Sequence, residues 1–365
     1  MPEVATLIRK SNGAGFFAID RQTWPCICNL GMNPAVAYLV LGCGSGRDNR
    51  ISAWSVHAIE TYTGVSRGRA RTAIEALTRA NFIKRLSMES GRPRYELRRV
   101  GARSRAKEDS RQIWLPNALV TGAAGELTPL ERVRQTQDVM TLRLLVDLYD
   151  GQDLVEEGGV SRRYIWQKYE RKKIGHRGFY DVWGFRAPCL WVRWNDFLDC
   201  HRSGDVATER AGDVLFGRLQ ALADLGLIQW VPCLFEGDGD SAEPIHTYFW
   251  DSDIELERQL AAAAHDAAEH MLGAVAQIQA DRAEIDGAGD YLLAPVPKHI
   301  ANVQMMGIAR LRYRPHTSLT AGWWAELNEK GRRFITGYEN AMAPRTDKTS
   351  LASLGIWSDK VANGE

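Results

Sequence analysis

The sequence lacks the patterns that mark zinc proteins, secreted proteins and membrane proteins. Its six cysteines include no Cys-x-x-Cys pair, and Cys26 and Cys28 have no matching His or Cys pair downstream, so a structural zinc site is not expected. No apolar run approaches the ~18 residues that a membrane helix needs, and the N-terminus has no signal-peptide apolar core. We therefore expect reduced thiols, a cytoplasmic protein and no membrane partner.

Motifs for catalysis and for cofactors are missing as well. The glycine-rich "GCGSGRDNR" at 42–50 has neither the Gly-Lys-Ser/Thr of a phosphate-binding loop nor a dinucleotide fingerprint. The eight histidines include no His-apolar-His metal pair. The acidic "EGDGDSAE" at 236–243 lacks the Glu that a calcium loop requires at its twelfth position. We predict that the protein is not an enzyme and holds no cofactor or metal.

The charge is balanced overall but unevenly distributed. The formal net charge is +1, yet residues 1–112 contain 19 Lys and Arg against 9 Asp and Glu, which is +10. The remaining residues contain 27 against 36, which is −9. This asymmetry predicts that the N-terminal third binds an anionic partner. It also predicts that residues 113–365, which we call the acidic body, bind protein partners.

The segment "TGVSRGRARTAIEAL", residues 63–77, predicts a short basic helix. Ser66 is in position to cap it, and Ala70, Ala73, Ile74 and Leu77 follow the helical period. Arg69 and Thr72 then lie opposite the core, with Arg67 in the first turn and Arg71 beside the exposed side. Arginines near a helix N-terminus suit a groove lined by phosphates, because the helix end attracts anions and guanidinium groups match phosphate and guanine edges.

The surrounding elements complete a recognisable plan. A helix at 34–43, a second in "SAWSVHAIETYT", the basic helix and a hairpin from "FIKRL" to "YELRRV" are in the order of a winged helix-turn-helix domain. Over residues 16–100 the chain resembles GntR-type regulators and the replication-initiator-like winged-helix proteins of plasmids and phages. The resemblance implies DNA contacts by Ser66, Arg67, Gly68, Arg69 and Arg71, and by the hairpin tip around Gly91 and Arg92. Thr72 on the same face, and Lys84, Arg85, Arg92 and Arg94 on the hairpin, are further predicted DNA contacts.

A related signature returns later in the chain. After a predicted linker at 101–112, the segment "GVSRRYIWQKYERKK" at 159–173 repeats the Gly-Val-Ser break and its basic residues. We predict a second, elaborated winged-helix domain over 113–251, with this segment as its basic helix. That helix would offer DNA a set of six cations: Arg162, Arg163, Lys168, Arg171, Lys172 and Lys173. The alternative is an amphipathic helix whose aromatic residues lie in the core.

The rest of the chain is predicted to be helical. Residues 252–286 form an Ala-rich helix on which Leu260, Ala264, Ala267, Met271, Ala274 and Ile278 make a helix-pairing seam. The seam can pack against the chain itself or pair two subunits into a homodimer. A basic helical region follows at 287–350, and a disordered tail at 351–365. The predicted fold class is mainly α with small β-hairpin wings (α+β), with tandem winged-helix domains, residues 1–100 forming the first.

These features predict a non-catalytic, nucleoid-associated protein of a mobile element that binds double-stranded DNA. Two winged-helix units in one chain resemble replication initiators, which is our first expectation. A GntR-like transcriptional repressor is the alternative within DNA binding, since such regulators pair one winged helix with a ligand or dimer domain. A third hypothesis is that the protein is a nucleic-acid-binding subunit of a defence or partition complex, in which the acidic body binds partners.

Overall fold

A computed structural model describes residues 15–86, 93–99, 112–123, 125–153, 157–192, 208–237, 239–252, 254–273, 292–314 and 318–343. The chain divides into two compact units. Unit 1 comprises residues 1–153, 194–229 and 310–320, and unit 2 comprises residues 154–193, 230–309 and 321–365. The predicted linker as far as residue 111 and the predicted tail at 351–365 lie outside the described residues.

Helices of unit 1 surround one apolar helix. In α2 every residue from Pro34 to Cys43 is buried, as expected for a helix that is hydrophobic on all sides. The helices are α1 (Thr23–Cys28), α2 (Met32–Cys43), α3 (Val56–Thr63), α4 (Arg67–Arg79), α5 (Ala118–Thr121), α6 (Pro129–Gln135), α7 (Val139–Asp150) and α8 (Thr208–Asp224), with a short 3-10 turn at Gly46–Asp48.

Strands of unit 1 form two small antiparallel sheets. In the first, β1 (Phe16–Asp20) pairs with β5 (Gln112–Pro116). In the second, β2 (Ile51–Ser52) and β3 (Ile83–Leu86) flank the central β4 (Arg94–Leu97). A two-residue strand, β6 (Gln152–Asp153), follows α7. Between residues 32 and 97 the chain thus runs helix, short strand, helix, helix and hairpin.

Unit 2 is built on a six-stranded antiparallel sheet in the order β11-β10-β13-β8-β9-β12. Buried side chains from β9, Phe185 among them, form a core with Leu260, Ala264 and Tyr338 of the helices. The elements are β7 (Gly159–Val160), β8 (Ile165–Arg177), β9 (Tyr180–Val192), β10 (Ile228–Glu236), β11 (Glu243–Thr247), β12 (Leu292–Pro297), β13 (Val303–Leu311), α9 (Glu255–Leu272), α10 (Ser318–Met342) and a 3-10 turn at Gly239–Ser241.

This sheet shows that the predicted fold class is wrong. The chain is not mainly α with small wings, and it does not contain tandem winged-helix domains. The segment at 159–173, predicted as a basic helix, forms β7, a turn and most of β8. Tyr164, Ile165, Trp166 and Tyr169 explain the strand, since β-branched and aromatic residues suit a pleated surface and β8 pairs with β9 and β13.

The C-terminal predictions need two further corrections. Residues 287–350 are not a purely helical region, because β12 and β13 lie in the sheet and only α10 is helical. The described part of the predicted long helix is α9, and Ala274 and Ile278 lie outside the described residues. The other seam residues, Leu260, Ala264, Ala267 and Met271, are all buried in the core of unit 2. Packing against the chain itself therefore occupies this part of the seam and leaves it inaccessible to a second subunit.

Candidate nucleic-acid interface

The helix-turn-helix geometry at α3 and α4 follows from a few local residues. Gly64 ends α3 in the left-handed conformation, with φ of +64°, which glycine adopts without a steric penalty. Val65 is buried in the turn that follows. The apolar positions of α4 are also buried, as predicted: Ala70, Ala73, Ile74 and Leu77. This packing directs the opposite side of α4 into solvent.

The six residues predicted at the start of α4 lie together on that exposed side. We call this set the α4 surface; it consists of Ser66, Arg67, Gly68, Arg69, Arg71 and Thr72, all of which are exposed. Ser66 occupies the position before the helix, but its hydroxyl makes no capping hydrogen bond, contrary to prediction. Its hydroxyl and the first-turn N–H groups, which have no intrahelical acceptor, therefore face solvent together.

The arginines of the α4 surface differ in their local partners. Arg67 Nε donates a 2.7 Å hydrogen bond to Glu60 Oε2 of α3, and this bond lowers the pKa of the Glu60 carboxyl. Arg69 and Arg71 form no side-chain hydrogen bond or ion pair with any residue that the structure describes. Two unpaired guanidinium groups thus lie close to the positive end of the α4 dipole, which favours an anionic ligand.

Gly68 has no structural reason to be glycine. Its φ is not positive, and a Cβ added there would meet no atom within 4 Å. Glycine inside a helix costs about 1 kcal/mol relative to alanine, so packing and backbone geometry both favour a larger residue. What glycine provides at this position is an open backbone that a ligand can approach closely.

The hairpin β3–β4 adds basic residues beside α4 within unit 1. Lys84, Arg85 and Arg94 are exposed, and Tyr95 and Leu97 on the other side of β4 are buried. Gly91 and Arg92, predicted at the tip, lie outside the described residues. Glu96, the one carboxylate on the described strands β3 and β4, is bound by Arg50 at 2.5 Å, and this hydrogen bond lowers the pKa of the Glu96 carboxyl.

Helix α6, which is distant in sequence, forms hydrogen bonds that hold the turn between α3 and α4. Thr128, which caps α6 by accepting a 3.0 Å hydrogen bond from Glu131 N, also donates a 2.6 Å hydrogen bond to Tyr62 O. Arg134 Nε donates a 2.6 Å hydrogen bond to Thr63 O. Both carbonyls belong to the last turn of α3 and lack helical donors. This contact could not be predicted, because no local pattern in the α6 sequence indicates which carbonyl the helix binds.

The six cations predicted for the second domain do not form one surface. Arg162 is buried: its Nε donates a 3.0 Å hydrogen bond to Glu157 Oε1, its Nη2 donates one of 2.9 Å to Ala242 O, and the guanidinium lies 4.4 Å from the centre of the Phe235 ring. A buried and fully occupied guanidinium cannot contact DNA. The other five are exposed, Arg163 before β8 and Lys168, Arg171, Lys172 and Lys173 along it.

Two other kinds of site, a metal-binding cluster and a membrane-spanning helix, are absent from the described residues. The described part of the chain holds no cluster of three or more His, Cys, Asp or Glu that could bind a metal ion. Among the helices that the structure describes, none has the length and apolar character needed to span a membrane. Comparison of the chain with family models, with curated proteins and with solved structures finds no match.

Proposed function

We propose that the protein binds double-stranded DNA and reads its sequence through the α4 surface. The observation that carries this proposal is the pair of unpaired, exposed guanidinium groups of Arg69 and Arg71 beside the open backbone of Gly68. In this arrangement α4 enters the major groove, where arginine forks match the O6 and N7 atoms of guanine. Lys84, Arg85 and Arg94 contact phosphates, which orient the protein without specifying sequence.

The order of elements between residues 32 and 97 supports this assignment. Three helices followed by a hairpin is the winged-helix order predicted from the sequence, and the structure adds the short strand β2 between the first two helices. The α6 contacts to the carbonyls of Tyr62 and Thr63 fit the same role, since a reading helix must be held rigidly relative to the body that docks on DNA.

Selection of duplexes from a randomised pool by the full-length protein tests the proposal. We expect an enriched motif, and we expect Arg69→Ala and Arg71→Ala each to cost about 1–3 kcal/mol of binding to it. The matched controls are the single variants Arg332→Ala and Arg333→Ala, each of which removes one positive charge from an exposed position of α10. Absence of any enriched motif, or equal binding by the α4 variants and the controls, would contradict the proposal.

Among the biological roles consistent with DNA binding, we propose transcriptional regulation ahead of replication initiation. The hypothesis of a replication initiator depended on two winged-helix units in one chain. Unit 2 contains a six-stranded sheet instead of a second winged-helix unit, so this support is lost. One DNA-binding unit joined to a unit of different architecture is the organisation of a regulator. Immunoprecipitation of bound DNA from the native host distinguishes the two roles: peaks at promoters support regulation, and a peak at an origin supports initiation.

A further inference from the structure

We propose that the tip of the β8–β9 hairpin is a second DNA contact, which binds the phosphate backbone without reading sequence. This inference rests on the proposed function, since the partner is again double-stranded DNA. The strands turn at Gly178, whose φ is +58°, and Phe179. Around this turn, on both faces of the two strands, lies what we call the tip patch, an exposed set of side chains: Lys172, Lys173, His176, Arg177, Phe179 and Lys298.

The tip patch is assembled from two distant segments. Lys298 directly follows β12, and its backbone N–H donates a 2.8 Å hydrogen bond to Phe179 O. Arg177 Nη1 donates a 2.8 Å hydrogen bond to His270 O at the end of α9. These bonds fix the backbone of the tip within unit 2, so binding to it would require little ordering of the chain.

Both carboxylates of the β8–β9 hairpin are already paired. Residues 163–186 contain seven Lys and Arg but only two acids, Glu170 and Asp181. Asp181 Oδ2 lies 2.7 Å from Lys173 Nζ, and Glu170 Oε2 lies 3.4 Å from Arg186 Nη2. Lys172 and Lys298 have no side-chain partner among the described residues. The tip therefore has unneutralised positive charge, which attracts a phosphate backbone.

Phe179 indicates which kind of anionic partner the tip suits. It is 62% exposed, more than any other large hydrophobic residue that the structure describes. The turn does not require an aromatic residue, since glycine at the preceding position satisfies its geometry. An exposed apolar side chain at a turn that also carries Arg177 and Lys298 fits a DNA groove, where proteins place apolar wedges between phosphate contacts.

The test is the salt dependence of DNA binding by the full-length protein. A duplex of arbitrary sequence is the probe, because phosphate contacts do not depend on sequence. We expect Lys172→Gln/Lys298→Gln to make the slope of log K against log salt shallower by about 2, since each lost phosphate contact removes about 0.9. We expect Phe179→Ala to weaken binding severalfold without changing the slope, because its contact releases no counterion. The matched control, Lys330→Gln/Arg333→Gln, removes two exposed charges from α10 and should leave the slope unchanged.

The possible outcomes separate this inference from the proposed function. A slope that is unchanged in Lys172→Gln/Lys298→Gln overturns the tip contact, and so does an equal decrease in the control, which would reflect net charge alone. If the wild-type protein binds no duplex, both proposals fail. If motif selection depends on Arg69 and Arg71 while the tip variants behave as wild type, the proposed function stands and only the tip contact fails.

Discussion

His246 and Tyr338 form a buried hydrogen-bonded pair in unit 2, with His246 Nε2 2.9 Å from Tyr338 Oη. The other ring nitrogen, Nδ1, lies 2.9 Å from Thr247 O, and a carbonyl can only accept. The tautomer assigned from these partners carries its proton on Nδ1, and the Tyr338 hydroxyl is shared between His246 Nε2 and Pro295 O, which lies 3.1 Å from it. Burial disfavours the imidazolium and lowers the pKa of His246 from 6.5 to about 4.

This pKa predicts that acid destabilises unit 2. Because the folded-state pKa is below the unfolded value, unfolding takes up a proton between pH 6.5 and 4. The contribution of the neutral histidine is complete above pH 6.5 and decreases as the pH falls, by about 2 kcal/mol between pH 7.5 and pH 5. Urea unfolding at these two pH values, for the wild type and for His246→Gln, measures the difference. An equal loss of stability in both proteins would show that other groups cause the acid sensitivity.

The open space at Gly68 predicts opposite effects on stability and on DNA binding. Gly68→Ala should raise the free energy of unfolding by about 0.5–1 kcal/mol, because alanine is the better helix former and meets no neighbour. The same methyl group should weaken binding to the selected duplex, because it covers the open backbone of α4. Thermal unfolding and fluorescence anisotropy measure the two effects.

Gly217 provides the control for this experiment. It lies in α8, is exposed, and likewise has no atom within 4 Å of an added Cβ. We expect Gly217→Ala to be stabilised by a similar amount and to bind DNA as the wild type does. If Gly68→Ala binds as tightly as Gly217→Ala, the open backbone of α4 has no role in binding.

The bond from Arg134 to Thr63 O predicts that a residue of α6 controls the position of α4. Arg134→Ala removes the only donor found for that carbonyl within the described residues. We expect a loss of about 1–3 kcal/mol in the stability of unit 1 and weaker sequence-specific binding. Gln135→Ala, an exposed change on the same helix, should alter neither quantity. Unchanged stability of Arg134→Ala would mean that this contact does not hold the turn.

Neighbouring arginines before β8 are predicted to differ sharply in their effect on stability. Arg162→Ala removes the guanidinium that pairs with the buried Glu157 carboxylate, which should cost about 3–5 kcal/mol. Arg163 is exposed, and Arg163→Ala should change the free energy of unfolding by less than about 0.5 kcal/mol. Equilibrium unfolding in urea compares them. Similar values for the two variants would contradict the buried position of Arg162.

The sequence alone was sufficient to predict the local features of the α4 region. Ala70, Ala73, Ile74 and Leu77 follow a helical period, and Gly64 interrupts the chain at the point where α3 ends. These signals depend on residues within a few positions of one another, so the limits of α4 and the exposure of Arg69 and Arg71 could be predicted. Whether this surface binds DNA stays a prediction.

Only the tertiary structure determined the secondary structure of residues 159–173 and of the chain around them. Gly-Val-Ser precedes both α4 and β8, but β8 is a strand because β9 and β13 offer it hydrogen-bonding partners from distant parts of the chain. Other long-range contacts bury Arg162 against Phe235 and Ala242, and the pairing of β12 with β9 brings Lys298 beside Phe179. A strand, unlike a helix, forms its backbone hydrogen bonds with residues that are remote in sequence. No local pattern specifies which residues those are.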